Sequence, residues 1–205
     1  MSDKRIYLAS RSPRRRELLK QIGVNFELML LREDARRGSD VDESPLPDEA
    51  ADAYVLRMAG NKAEIAARVV GHRGLMLQNP VLAADTTVEF EGGIIGKPAD
   101  AEHAAQMLSL LSGREHRVIT AVALRRRDQL ETRVSVSAVR FRELSAAEVR
   151  IYAASGEPLD KAGAYAIQGR AAAFVTRIEG SYSGIMGLPL AETAELLKKF
   201  GIEIF

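Results

Sequence analysis

Leu8-Ala9-Ser10-Arg11-Ser12-Pro13-Arg14-Arg15-Arg16-Glu17-Leu18-Leu19 reads as the end of a strand, a short turn and the start of a helix. The strand runs from Ile6 to Ala9. Ser12 is a good N-cap, and Pro13 suits the first helical position, where no N–H is required. Leu18, Leu19 and Ile22 form an apolar stripe, and Gly23 is placed to stop the helix. The charges oppose the helix. Arg14, Arg15 and Arg16 fall in the first turn, where the dipole is already positive, and each costs about 0.3–1 kcal/mol there. Glu17 offsets only part of this. A helix N-terminus dressed with serines and arginines is suited to an anion, because free backbone N–H groups and guanidinium forks converge on one point. A solvated basic surface turn is the alternative.

Composition narrows the classes. The chain has 205 residues, 46% of them hydrophobic, enough for one sizeable core in one domain or two closely joined lobes. The net charge of +1 gives no global field for nucleic acid, so phosphate binding must come from local clusters. The absence of cysteine excludes a disulfide framework, a thiol nucleophile and a cysteine zinc site. No apolar run resembles a signal peptide, and none approaches the roughly 20 residues of a membrane span. A soluble, cytoplasmic protein is expected.

Further along, Phe26 to Leu31 reads as a strand and Arg32 to Asp48 as a polar loop carrying Asp42 and Glu43. Loop acids of this kind are ordinarily solvated. A helix is expected from Asp48 or Glu49 to about Val70, with Ala51, Val55, Met58, Ala59, Ala66 and Val69 on its buried side. Lys62 falls on that stripe, so it either snorkels to the edge or points into a cleft. Val81 to Val88 reads as a buried strand with Asp85 at its carboxyl end, a costly place for an acid unless it is paired, hydrogen-bonded or metal-bound. Glu91-Gly92-Gly93 is a hairpin turn, and Lys97 precedes Pro98 in extended backbone. Asp100 caps a helix ending at Gly113.

Two long strands follow, His116 to Arg126 and Leu130 to Leu144, as an antiparallel pair; the second should bury Val134, Val136, Ala138 and Phe141. Ser145-Ala146-Ala147-Glu148 is a capping box. Leu159 to Gly169 is dominated by small residues, Ala173 to Ile178 is a strand, Gly180 to Gly184 a loop, and Ala191 to Phe200 an amphipathic helix. Crossovers together with a hairpin indicate an α/β fold with a mixed sheet, flanking helices and two lobes around a cleft.

Sorted by chemistry, the candidates are the cations Arg14, Lys62 and Lys97, with Arg15 and Lys161; the carboxylates Glu43 and Asp85, with Asp42 and Asp160; and the hydroxyls Ser10, Ser12 and Thr86. No histidine accompanies a nucleophile, and the serine-elbow, P-loop and zincin motifs are absent. Cations, carboxylates and a helix N-terminus describe a polyphosphate site with a divalent metal. Such a site lets water attack a phosphoryl group without a covalent enzyme intermediate.

The chain resembles the Maf family of nucleotide pyrophosphatases over nearly its whole length. The matching motifs are LASRSPRRRELL (Leu8 to Leu19), VDES (Val41 to Ser44), YVLRMAGNKA (Tyr54 to Ala63), AADTTV (Ala83 to Val88), IIGKPAD (Ile94 to Asp100), SGEPLDKAGAYAIQG (Ser155 to Gly169) and GSYSGIMGLPL (Gly180 to Leu190). The resemblance implies an inosine triphosphate pyrophosphatase-like fold as a single Maf-like domain. It implies metal-dependent cleavage of a nucleoside triphosphate to the monophosphate and pyrophosphate. It implies Asp85 as proton acceptor, with Glu43 and Asp85 holding Mg²⁺ or Mn²⁺. Ser10, Ser12, Arg14, Lys62 and Lys97 would hold phosphates, and Arg14, Thr86 and Gln168 would select the substrate. The DKAGAYAIQG and GSYS segments are similar to the subfamily acting on dTTP and UTP. A 7-methyl-GTP pyrophosphatase and a nucleotide-binding regulator of septum formation are the alternatives. Asp42 and Glu33 compete with Glu43 for the loop carboxylate. A homodimer is implied, with neither nucleic-acid nor membrane partners.

Overall fold

The structure is a computed structural model that describes residues 5–34, 38–75 and 78–204. Parts of the expected loop (35–37) and of the following connection (76–77) lie outside the described residues. The elements in order are β1 (Arg5–Leu8), α1 (Pro13–Gln21), β2 (Asn25–Leu28), a small ribbon of β3 (Glu33–Asp34) and β4 (Gly38–Ser39), α2 (Ala51–His72), β5 (Val81–Phe90), β6 (Gly93–Ile95), α3 (Ala101–Leu111), β7 (Glu115–Arg126), β8 (Gln129–Phe141), α4 (Ala146–Ala153), two 3₁₀ turns (Ala162–Ala164 and Arg170–Phe174), β9 (Val175–Glu179), α5 (Tyr182–Met186) and α6 (Leu190–Lys199).

The main sheet runs β2-β1-β5-β7-β8-β9, with β6 laid against the far end of β5. β1 is parallel to β2 and β5, whereas β5, β6, β7, β8 and β9 pair antiparallel. This is the mixed α/β sheet that the alternation of elements implied. Because side chains on a strand alternate between faces, β5 serves two cores at once. Leu82 and Ala84 pack with Leu18, Leu19, Leu196 and Phe200 of the α1/α6 side. Val81 and Ala83 pack with Val55, Ala59, Ala63 and Ala66 of α2. Farther along, Val88 enters a third cluster with Leu108, Phe141, Tyr152, Tyr165 and Phe174. Asp85 stands between these cores.

Three expectations change. Asp85 is not at a strand end: it lies inside a ten-residue strand, opposite Ala121 of β7. The strand continues because Thr86 to Glu89 go on pairing with β7 and Val88 to Phe90 form the hairpin with β6. What frees Asp85 is a gap in the neighbouring strands. β1 pairs with β5 at Val81 and Leu82, and β6 resumes at Val88. The edge between them, among the described residues, has no strand neighbour on that side.

On β8, Phe141 is buried as expected, but before it the inward side is Ser135, Ser137 and Val139, and Val136 is exposed. The serines are inside because the backbone after β9 packs on them. Ser181 N–H donates to Ser137 Oγ at 2.9 Å. That loop also forms α5, capped by Ser181 Oγ accepting from Gly184 N–H at 3.0 Å. Finally, α2 begins at Ala51 rather than Asp48 or Glu49. Glu49 instead accepts from Leu46 N–H and pairs with Arg57. No helix among the described residues is long and apolar enough to cross a membrane.

Candidate active site

A cavity of about 600 Å³ opens beside the unpaired edge of β5. It gathers Ser10, Ser12, Arg14, Glu43, Lys62, Asp85, Thr86, Lys97 and Gln168, with Arg15, Asp160 and Lys161; Asp42, the other expected carboxylate, is not on its wall. Cations outnumber carboxylates along its wall.

At its centre the Lys62 ammonium lies 2.6 Å from Glu43 Oε1 and 2.6 Å from Asp85 Oδ1. The helical register of α2 places Lys62 one turn after Met58 on the side facing β5, and the pleat of β5 turns Asp85 toward α2. Lys62 therefore points into the cleft; it does not snorkel. Burial is the largest influence on Glu43 and pushes its pKa up, but Lys62, Lys97 and Arg15 together hold it below the ordinary value.

The loop bearing Glu43 is moored to α2. The Tyr54 hydroxyl donates to Glu43 O at 2.9 Å, and Arg57 Nη2 donates to Ser44 O at 3.1 Å. Burial, followed by the charges of Asp85 and Glu43, raises the Tyr54 pKa to about 12. Of the competing loop acids, Asp42 is exposed and accepts from Ser44 N–H at 2.9 Å, a local turn contact. The side chain of Glu33 lies outside what the structure describes.

The turn before α1 forms the opposite side. Ser12 caps by backbone geometry alone; its hydroxyl makes no capping bond and, among the described residues, is buried without a partner. A buried hydroxyl without a partner costs about 1–3 kcal/mol, and this one lines the cavity, where a ligand oxygen can complete it. Ser10 Oγ accepts from Ser12 N–H at 3.2 Å and from Arg15 Nη1 at 3.4 Å, leaving its own proton for a guest.

Arg15 is the residue that sequence reasoning undervalued. Its Nε donates to Gly187 O at 2.7 Å and its Nη2 to Thr86 Oγ1 at 3.3 Å. The Thr120 hydroxyl lies 2.9 Å from Thr86 Oγ1 and 2.8 Å from Gly184 O. A carbonyl only accepts, so Thr120 donates to Gly184 and Thr86 donates to Thr120. Thr86 is thereby committed to the scaffold. Burial lowers the Arg15 pKa, against the upward pull of Asp85 and with the downward push of Arg14. The run of three arginines was the available signal, but only the fold separates Arg15, tied to the Gly187 and Thr86 side, from Arg14, whose Nε reaches Met186 O at 3.3 Å.

Two carboxylates converging on one cation also meet the donor chemistry of a hard divalent metal, which prefers oxygen ligands. Among the described residues no third histidine, cysteine or acid joins them. That set suits Mg²⁺ or Mn²⁺ shared with a polyphosphate rather than caged by protein alone.

Proteins similar to this chain are numerous. The chain is 56% identical over 200 residues to a dTTP/UTP pyrophosphatase of Nitrosomonas europaea, covering 98% of this chain and 96% of that protein. It is 60% identical over 198 residues to one of Aromatoleum aromaticum, covering 96% of each. Among solved structures it is similar to the Ham1 protein of Staphylococcus aureus, with a TM-score of 0.45 and 18% identity over 67% of this chain and 72% of that one. The family model described as Maf-like protein matches residues 5–200, from β1 through the end of α6, and the chain belongs to the Maf family.

Proposed function

We propose that this chain is a nucleoside triphosphate pyrophosphatase that hydrolyses dTTP and UTP to the monophosphate and pyrophosphate. The observation that carries the reading is the Glu43–Lys62–Asp85 cluster, set in the same cavity as the arginine-bearing N-terminus of α1. The full-length relatives named dTTP/UTP pyrophosphatase support the substrate class.

Arg14, Lys62, Lys97 and the hydroxyls of Ser10 and Ser12 hold the phosphate oxygens and offset charge that grows as the bridging P–O bond breaks. Asp85 accepts the proton of the attacking water; the water oxygen bonds to phosphorus, and the bridging bond electrons leave with the departing phosphate group. Glu43 and Asp85 would hold a divalent cation, which supplies charge neutralisation and a more acidic water when bound. Lys62 orients both carboxylates before substrate arrives. Gln168 presents an amide with both donor and acceptor to the base edge. Thr86 acts on selectivity through Arg15, whose guanidinium it helps to seat.

The test is pyrophosphate release from dTTP, UTP, CTP, 7-methyl-GTP and ITP with Mg²⁺ or Mn²⁺, beside Asp85→Asn and a chelator control. Release from dTTP and UTP that is lost in both controls supports the reading. Nucleotide binding with no pyrophosphate from any of the five overturns it in favour of a regulatory binder.

A further inference from the structure

We propose that Tyr152 and Glu157 are positioning residues for base selection: together they pin both ends of the turn that presents Gln168 to the cavity. The proposal rests on the reading of Gln168 as the residue that meets the base.

Neither residue lines the cavity, yet both reach its wall through backbone. Ala166 N–H donates to the Tyr152 hydroxyl at 3.1 Å, and that hydroxyl donates to Glu157 Oε1 at 2.7 Å. Arg170 N–H donates to the same carboxylate oxygen at 3.1 Å. Ala166 and Arg170 flank Gln168 on either side, and Gly169 N–H closes the turn on Ala166 O at 3.0 Å. One carboxylate thus holds the turn at both ends, directly at Arg170 and through Tyr152 at Ala166.

The seat is close-fitting. A Cβ on Gly169 would lie 2.3 Å from Glu157 Oε1, so the carboxylate rests against bare backbone and only glycine allows the approach. The Tyr152 ring is 2% exposed and meets Phe174 edge-on at 5.2 Å, which fixes its hydroxyl from behind. Lys161 Nζ also donates to Glu157 O at 2.8 Å, drawing a second cavity residue onto the same support. The Gln168 side chain is exposed and, among the described residues, has no hydrogen-bond partner of its own. The backbone of the pinned turn therefore sets its direction.

The experiment measures kcat and KM for dTTP, UTP and CTP with Mg²⁺, using the full chain and the variants Tyr152→Phe, Glu157→Ala, Glu157→Gln, Gln168→Ala and the double variant Tyr152→Phe/Gln168→Ala. Tyr152→Phe and Glu157→Ala should lower the preference for dTTP over CTP by about fivefold or more, mainly through KM, with kcat for dTTP changed by less than about twofold. Glu157→Gln keeps an oxygen that can accept from both partners and should keep the preference. The double variant should lose no more preference than Gln168→Ala alone.

Simple loss of folded protein lowers activity on every nucleotide alike and leaves the ratio unchanged. A ratio unchanged in Tyr152→Phe and Glu157→Ala but lost in Gln168→Ala overturns the clamp and leaves the base reading standing. A ratio retained in Gln168→Ala overturns the base reading, and the clamp with it. Additive losses in the double variant overturn action through Gln168.

Discussion

The wall that carries Lys62 and Asp85 and the wall that carries Gln168 are held in opposite ways. Lys62 and Asp85 project from the long helix α2 and the ten-residue strand β5, whose backbones are locked by regular hydrogen bonds. Gln168 stands on an irregular stretch between two 3₁₀ turns, fixed by side chains that bond to its backbone. The charged wall can therefore be altered at its side chains with little effect on the fold. The Gln168 wall, neutral at Gln168 itself, rests on remote side chains, and altering those should change selectivity before it changes chemistry.

The largest effect expected from breaking this contrast is on the charged wall. Asp85→Asn should lower pyrophosphate release by about 10²–10⁴-fold, the usual contribution of a positioned base. Its melting temperature should stay near that of the parent, because the amide oxygen still accepts from Lys62; a collapse of thermal stability would show that Asp85 serves the scaffold. Arg15→Ala comes next. It strips partners from Gly187 O, Ser10 and Thr86 and should destabilise the fold by about 2–4 kcal/mol in urea titrations. Arg15→Lys should recover little of this, since an ammonium has no fork to span the three acceptors.

His116 sharpens the comparison from behind the neutral wall. It is 2% exposed, with Nε2 2.9 Å from the Tyr165 hydroxyl and Nδ1 unpartnered among the described residues. Burial lowers its pKa from 6.5 to about 4. Between those pH values the unfolded chain binds a proton that the native chain does not. Stability should therefore be full above about pH 6.5 and fall by about 3 kcal/mol as the pH drops to 4. Urea midpoints across that range should show the slope, and His116→Gln should flatten it. The smallest effect is expected for Ser145→Ala, which removes the capping box of α4 at the end away from Tyr152. It should cost about 1 kcal/mol and leave base preference intact; altered preference would mean that the whole helix, not its last turn, sets the Gln168 turn.

Much of this was legible from local pattern. The strand–turn–helix at Leu8 to Leu19, the caps at Asp100 and Ser145 and the hairpin at Glu91-Gly92-Gly93 all follow rules that operate within a few residues. Arg14 and Asp85 stood out because each opposed its surroundings, one a cation at a positive helix end and the other an acid in an apolar strand. The rest depended on contacts distant in sequence. Alternation in β8 favoured Val134 and Val136 as the buried side, but the backbone near Ser181, which alternation within β8 cannot reveal, draws Ser135 and Ser137 inward. Lys62 was ambiguous until β5 supplied the carboxylate opposite it. Tyr152 and Glu157 resemble ordinary helix-end and loop residues, since what marks them is the backbone they touch.

The ammonium between Glu43 and Asp85 has a consequence for how the protein endures before it works. Two acids facing one another across a cleft repel, and proteins that rely on a metal to relieve such strain unfold when the metal is withdrawn. Here the counter-ion is covalently part of the chain. The Glu43–Asp85 pair is thus offset from within the chain, and a chelator should leave the melting temperature of the protein unchanged.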